Sequence, residues 1–325
     1  MAISPALKVG VLFALLASTQ AATIQKITAP LDNNPSNVGF YLYVPDKLAP
    51  SPPILVNPHW CHGSALDAYK GTQYATLADK HGFLVIYPDS PNTADKCWDL
   101  SSPATLHHGK GGDSLGIVSM VNYTLAKYNA DKGRVFATGV SSGAMMTSTL
   151  VGAYPDVFAA GSAYSGVPFG CFKAADSTNV TNTSSLVDVW GDACATGRLT
   201  QSPEAWASLV KDAYTGYTGW RPKMQLFHGT ADEVLNFTVF GEEVKQWNAV
   251  LGFSQTPTTV TPDTPLPGWT KSVYGTDDWL EAYSAAGVTH NIQQQENLTL
   301  AWFDLACTGT DCFRWGKGGP WKAKA

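Results

Sequence analysis

The sequence predicts an α/β chain with a mostly parallel central sheet and helices on both faces. Three observations carry this. Short apolar, β-branched runs alternate with helical patterns; parallel strands need such crossovers. One glycine-flanked turn, GVSSG (139–143), joins a strand pattern directly to a helix pattern. Polar residue types capable of chemistry fall just after the strand patterns, where an open parallel sheet collects its reactive groups.

The elements follow in order. GFYLYVP (39–45) and PPILVNPHW (52–60) read as strands, as does FLVIYPDS (83–90). YKGTQYATLADKHG (69–82) has a helical pattern with a glycine stop at Gly82, and DSLGIVSMVNYTLAKYN (113–129) forms a long amphipathic helix. RVFATGV (134–140) is a buried strand and SGAMMTSTLVGAY (142–154) a helix without breakers. FAAGSAYSG (158–166), KMQLFHG (223–229) and the run from Trp279 to Ala285 supply further strands. Helices are expected from near Asn236 and over Glu296–Leu305. QTPTTVTPDTPLPG (255–268) is rich in Pro and Thr and reads as a surface loop inside one domain. There is no internal repeat.

The chain has 325 residues, 44% hydrophobic and 14% charged, a composition that supports a large core and excludes a disordered chain. A net charge of −5 gives no reason to expect nucleic acid or an anionic membrane as partner, and a neutral substrate and a monomer are expected. Lys8, the apolar run Val9–Ala17 and the small residues after it read as a cleaved secretory signal over residues 1–21; a bilayer span needs about 20 apolar residues. Residues 22–325 are then one secreted catalytic domain with a short tail. Six cysteines fit an oxidising destination. Proximity along the chain suggests Cys61–Cys97, Cys171–Cys194 and Cys307–Cys312. No spacing resembles a zinc or redox motif, so no metal is expected. Sequons begin at Asn122, Asn179, Asn182, Asn236 and Asn297.

In G-x-S-x-G the central residue is the nucleophile, because the sharp turn admits only glycine on either side; that is Ser141, not Ser142. A serine nucleophile needs a histidine base, and the base needs a carboxylate to fix its tautomer. In the α/β-hydrolase order the acid follows the serine and the histidine comes last. Asp232, in the loop after KMQLFHG, is the acid, with Glu233 in reserve. His290, the last histidine, is the base. His228, which closes the acid strand, is read as serving packing or hydrogen bonding, His81 as a helix end, and His107 and His108 as solvent-exposed. The oxyanion is assigned to the backbone amides of Ser142 and Cys61, with Trp60 as fallback for the second. Ser142→Ala should be mild on this reading, since the amide survives. Trp60 and Trp98 are candidates for substrate binding, Trp98 by stacking on a sugar or feruloyl ring.

PHWCHGS, YPDSPNTADKCWDLSS, TLHHGKGGDSLGIVSMV, TGVSSGAMMTS, GAYPDVFAAGSAYSGVPFGCF, GYTGWRPKMQLFHGTAD, GWTKSVYG and YSAAGVTH together resemble the fungal members of the first carbohydrate esterase family. These secreted relatives of polyhydroxybutyrate depolymerases include acetylxylan esterases and type B feruloyl esterases. The likeness runs from about Gly39 to about Leu305. It implies an α/β-hydrolase fold and cofactor-free removal of acyl groups from plant cell-wall xylan, acetyl preferred and ferulate the alternative. Ser141, Asp232 and His290 would take the family's triad positions. Trp60 and His62 depart from the usual early loop. The tail CTGTDCFRWGKGGPWKAKA lacks the four-cysteine cellulose-binding module that some relatives append. A reading of another class is an inactive carbohydrate-binding protein on a hydrolase scaffold. A metal-dependent deacetylase would need a His and Asp cluster that is not found.

Overall fold

The computed structural model describes residues 22–173, 190–276 and 278–319, so the expected signal segment and the sequons at Asn179 and Asn182 lie outside the described residues. Strands are β1 (Gln25–Lys26), β2 (Gly39–Tyr43), β3 (Ile54–Val56), β4 (Leu84–Asp89), β5 (Val135–Val140), β6 (Ala160–Tyr164), β7 (Lys223–Gly229), β8 (Thr259–Pro262), β9 (Trp269–Tyr274) and β10 (Leu280–Ala285). Helices are α1 (Ala65–Gly71), α2 (Tyr74–His81), α3 (Pro103–Leu106), α4 (Gly112–Tyr128), α5 (Ser142–Ala153), α6 (Asp192–Ala195), α7 (Pro203–Asp212), α8 (Thr238–Leu251) and α9 (Glu296–Trp302).

The strands form one sheet in the order β1-β2-β4-β3-β5-β6-β7-β10-β9-β8. From β4 to β10 every neighbouring pair is parallel, while β1, β2, β9 and β8 add antiparallel edges. The central strands are therefore buried on both faces. Ile54, Leu55, Val56, Val135, Phe136 and Ala137 are all fully inaccessible, as continuous apolar runs of a covered parallel sheet require. Because β3, β5, β7 and β10 run the same way, the segments after all four emerge at one edge. That edge carries the loop at His59–His62, Ser141, Asp232 and His290.

Four expectations need correction. The helix predicted over 69–82 is two helices, because Thr72 is extended and its hydroxyl caps the Ala68 carbonyl. The strand predicted to Trp60 ends at Val56; Pro58 has no N–H to give a ladder and the chain turns into the site loop. Within 255–268, read as a loop, β8 pairs antiparallel with β9; it is an exposed edge strand whose Pro and Thr hid its register. Helix α9 stops at Trp302, before Asp304 with its positive φ of 54°.

All three suggested disulfides are present: Cys61–Cys97, Cys171–Cys194 and Cys307–Cys312. No helix among the described residues is long and apolar enough to cross a membrane.

Candidate active site

Helix α5 is buried along its whole length, so its start can be approached closely by other backbone. A Cβ on Gly139 would lie 2.6 Å from the Gly143 carbonyl, and one on Gly143 would lie 2.2 Å from the Pro58 oxygen. The two glycines flank the turn for that steric reason. Between them Ser141 is held at φ 56° and ψ −124°, a conformation non-glycine residues rarely adopt, with its amide bonded to Tyr164 O at 2.8 Å. The strained bend lifts the hydroxyl off the sheet edge.

Ser141 Oγ lies 2.9 Å from His290 Nε2, and His290 Nδ1 lies 2.8 Å from Asp232 Oδ2. An ionised carboxylate only accepts, so Nδ1 carries the proton and the Nε2 lone pair faces the serine. The other carboxylate oxygen accepts the amides of Val234 and Leu235 at 2.9 and 2.7 Å. Burial alone would raise the Asp232 pKa. The hydrogen bonds from His228, His290 and the Leu235 amide outweigh it and hold the carboxyl well below the usual range. Glu233 does not reach the ring; its Oε2 accepts the His290 backbone N–H at 3.1 Å. The sequence-predicted serine, acid and histidine are thus brought together across 149 residues of chain.

The loop after β3 is tied down from several sides. His59 is fully buried, with Nδ1 2.7 Å from Trp60 O, while its Nε2 accepts the Ser90 amide at 3.0 Å. The first bond places the proton on Nδ1, and burial lowers the pKa, so the ring serves as a neutral spacer. Cys61 is bridged to Cys97, and Trp98 donates its indole N–H to His59 O at 2.7 Å. Trp98 also donates its backbone N–H to Ser142 Oγ at 2.9 Å. That bond gives the Ser142 side chain a structural role that the expectation of a mild Ser142→Ala effect did not include. Trp98 is 2% exposed with its indole N–H engaged, a packed aromatic that also borders the recess beside Ser141. His107 and His108 are half-buried rather than solvent-exposed; His108 stacks on Tyr214 at 3.7 Å and contacts Asp156.

Two spaces share Ser141 in their lining. A recess of about 40 Å3 is lined by Cys61, Trp98, Ser142, Met145 and Phe172 with Ser141. A groove of about 800 Å3 runs past Trp60, His62, Ser141, His290, Gln293 and Trp190. Trp60 is half-buried on the groove wall. Sequence reasoning missed Trp190, which is 47% exposed and borders both spaces; a lone tryptophan after a Ser/Thr-rich stretch carries no periodic signal. It also missed His228 as a neighbour of Asp232, although the four-residue spacing was visible. Among the described residues the one metal-like cluster is Asp304 with Cys307 and Cys312, and those cysteines are bonded to each other.

The profile described as "Esterase PHB depolymerase" matches residues 38–198. Feruloyl esterase B of Thermothelomyces thermophilus is 45% identical over 90% of this chain and 97% of its own length. The chain belongs to this esterase family. Acetylxylan esterase A of Emericella nidulans is 47% identical over 83% of this chain and 86% of its own. The solved acetyl xylan esterase from Aspergillus awamori superposes with a TM-score of 0.82 at 41% identity, covering 87% of this chain and 100% of the other. A feruloyl esterase module from Clostridium thermocellum, at 13% identity and a TM-score of 0.51, shares the fold alone. The protein is a carboxylic ester hydrolase with the α/β-hydrolase fold, a member of the first carbohydrate esterase family.

Proposed function

We propose that the chain is an exported serine esterase that removes acetyl groups from plant cell-wall xylan. The observation that carries this reading is the unbroken hydrogen-bond path Ser141–His290–Asp232. His290 takes the Ser141 proton as Oγ attacks the ester carbonyl, and Asp232 stabilises the imidazolium that forms. The amides of Ser142 and Cys61, which both border the recess, receive the oxyanion. Each such donor is typically worth about 3 kcal/mol in the transition state. The protonated His290 then passes its proton to the sugar oxygen as its bond to the acyl carbon breaks, so that it leaves as a hydroxyl, and water, activated by the same base, releases the acid from the acyl-enzyme.

The recess beside Ser141 is far smaller than the groove that shares its lining, which supports a small acyl group such as acetyl. Xylan comes from the relatives, which are named for it. A feruloyl esterase is the second reading. It is favoured by the 800 Å3 groove opening at Ser141 and by the 45% identity to a feruloyl esterase. Three disulfides support an oxidising, extracellular destination reached through a signal at residues 1–21. Residues 22–325 act as one catalytic unit and as a monomer, without cofactor, nucleic acid or membrane.

The test is acetate and ferulate release from acetylated xylan and feruloylated arabinoxylan, with wild type and Ser141→Ala. Acetate release that vanishes in the variant supports the reading. Dominant ferulate release overturns the acyl choice, and undiminished activity of Ser141→Ala overturns the nucleophile.

A further inference from the structure

Asp232 is approached by a second imidazole. His228, near the end of β7, is fully buried, and its Nε2 lies 3.1 Å from Asp232 Oδ2. This is the same oxygen that faces His290 Nδ1 at 2.8 Å. His228 Nε2 is also 3.0 Å from the carbonyl oxygen of Leu235. A carbonyl can only accept, so the proton is on Nε2 and the N–H is shared between the carbonyl and the carboxylate. The remaining nitrogen, Nδ1, is buried with no hydrogen-bond partner among the described residues. A proton there would be an unsatisfied donor in the interior, which selects the Nε2–H tautomer.

We propose that His228 is a positioning residue for ester hydrolysis: its N–H caps Asp232 Oδ2, orients the carboxyl group, and draws off negative charge that would otherwise act on His290. The inference rests on the triad reading above. Without that donor the carboxylate becomes a stronger partner for His290 and holds the imidazolium more tightly. The base would then stay protonated to higher pH. The groups that face His228 make this a local effect. Asp232 and, across the shared oxygen, His290 are the titratable neighbours, with Glu233 beyond them on the His290 amide. Strand β10 places Ser284 opposite His228, and Phe237 at the start of α8 and Phe240 in its first turn contribute uncharged rings.

The experiment compares kcat/KM against pH, on a soluble aryl acetate, for wild type, His228→Leu and His228→Gln, with Ser141→Ala as control. In His228→Leu the acid limb should move up by about half a pH unit or more, since a donor to a charged acceptor is lost. In His228→Gln, whose amide nitrogen reaches the position of Nε2, the limb should return toward wild type. An unmoved limb in His228→Leu, with thermal melting intact, overturns the proposal. If the leucine variant does not fold, 15N spectra of the wild-type histidines decide the matter. Protonation of His228 at Nε2 alone across the acid limb supports the cap, and protonation at Nδ1 over that range overturns it. Ser141→Ala separates the two layers. An active alanine variant removes the triad reading itself, whereas an inactive one beside an unmoved limb removes only the role of His228.

Discussion

Replacing Ser142 with alanine tests how the site is held together. The Oγ of Ser142 accepts the backbone N–H of Trp98 at 2.9 Å, and both residues are only 2% exposed, so losing the hydroxyl removes the side-chain partner of a largely buried donor. Leaving a buried donor unpaired costs about 1–3 kcal/mol. For a domain this large each kcal/mol shifts Tm by roughly 2–4 °C, so a fall of several degrees is expected. The second consequence is chemical. Trp98 follows Cys97, which is disulfide-bonded to Cys61, and the Trp98 indole holds the His59 carbonyl. Releasing Trp98 therefore loosens the segment that presents the Cys61 amide, while the Ser142 amide is untouched. A displacement well under 1 Å suffices for a loss in kcat of about tenfold, given that a full 1 Å can cost about 100-fold. KM should change little, because the lost contact acts on the oxyanion more than on the bound ester. Thermal melting and steady-state kinetics on acetylated xylan measure both effects. Wild-type Tm together with wild-type kcat would refute the argument that this hydroxyl holds the loop.

Other outcomes follow from the same geometry. Asp232→Asn should lower kcat about 10,000-fold, because an amide can donate to Nδ1 and select the wrong tautomer, whereas Glu233→Gln should retain most activity since it bonds only the His290 backbone. Steady-state kinetics of the pair distinguish acid from reserve. Glu243 is fully buried against Ser148, and burial pushes its carboxyl up to about 8. Because that folded value exceeds the unfolded one, its contribution to stability is complete below about pH 4.5 and is lost as pH rises toward 8. Glu243→Gln should therefore flatten the fall of Tm between those pH values, and identical Tm–pH curves would count against it. Gly143→Ala forces a Cβ to 2.2 Å from Pro58 O and 2.9 Å from His59 O, contacts with backbone that cannot step aside. It should destabilise the protein by about 3 kcal/mol or more and abolish activity, as read by urea unfolding and ester hydrolysis.

Much of this was legible in the order of the residues. The β-branched runs set the parallel strands, and the glycines around Ser141 specified the elbow because their need for close approach is local. Asp232 and His290 could be named because strand ends and chain order constrain them. Sequence alone could not choose among the pairings of six cysteines, but the set suggested by proximity along the chain is the one present. The edge strand β8 was hidden, because its pairing with β9 is decided by a neighbour rather than by its own Pro- and Thr-rich composition.

What tertiary structure alone decided were the contacts between segments far apart in sequence. Nothing near Ser142 announces that its hydroxyl would meet the amide of Trp98, 44 residues away. Trp98 itself could have been a stacking platform or a core residue, and burial at 2% exposure made it the latter. For His228 the sequence left packing and hydrogen bonding both open, and only the folding of the loop after β7 set Asp232 against its ring. Local propensity depends on neighbours along the chain, so a single sequence reveals it. A hydrogen bond across the sheet edge depends on how strands, helices and loops pack together, and that appears only once the chain has closed on itself.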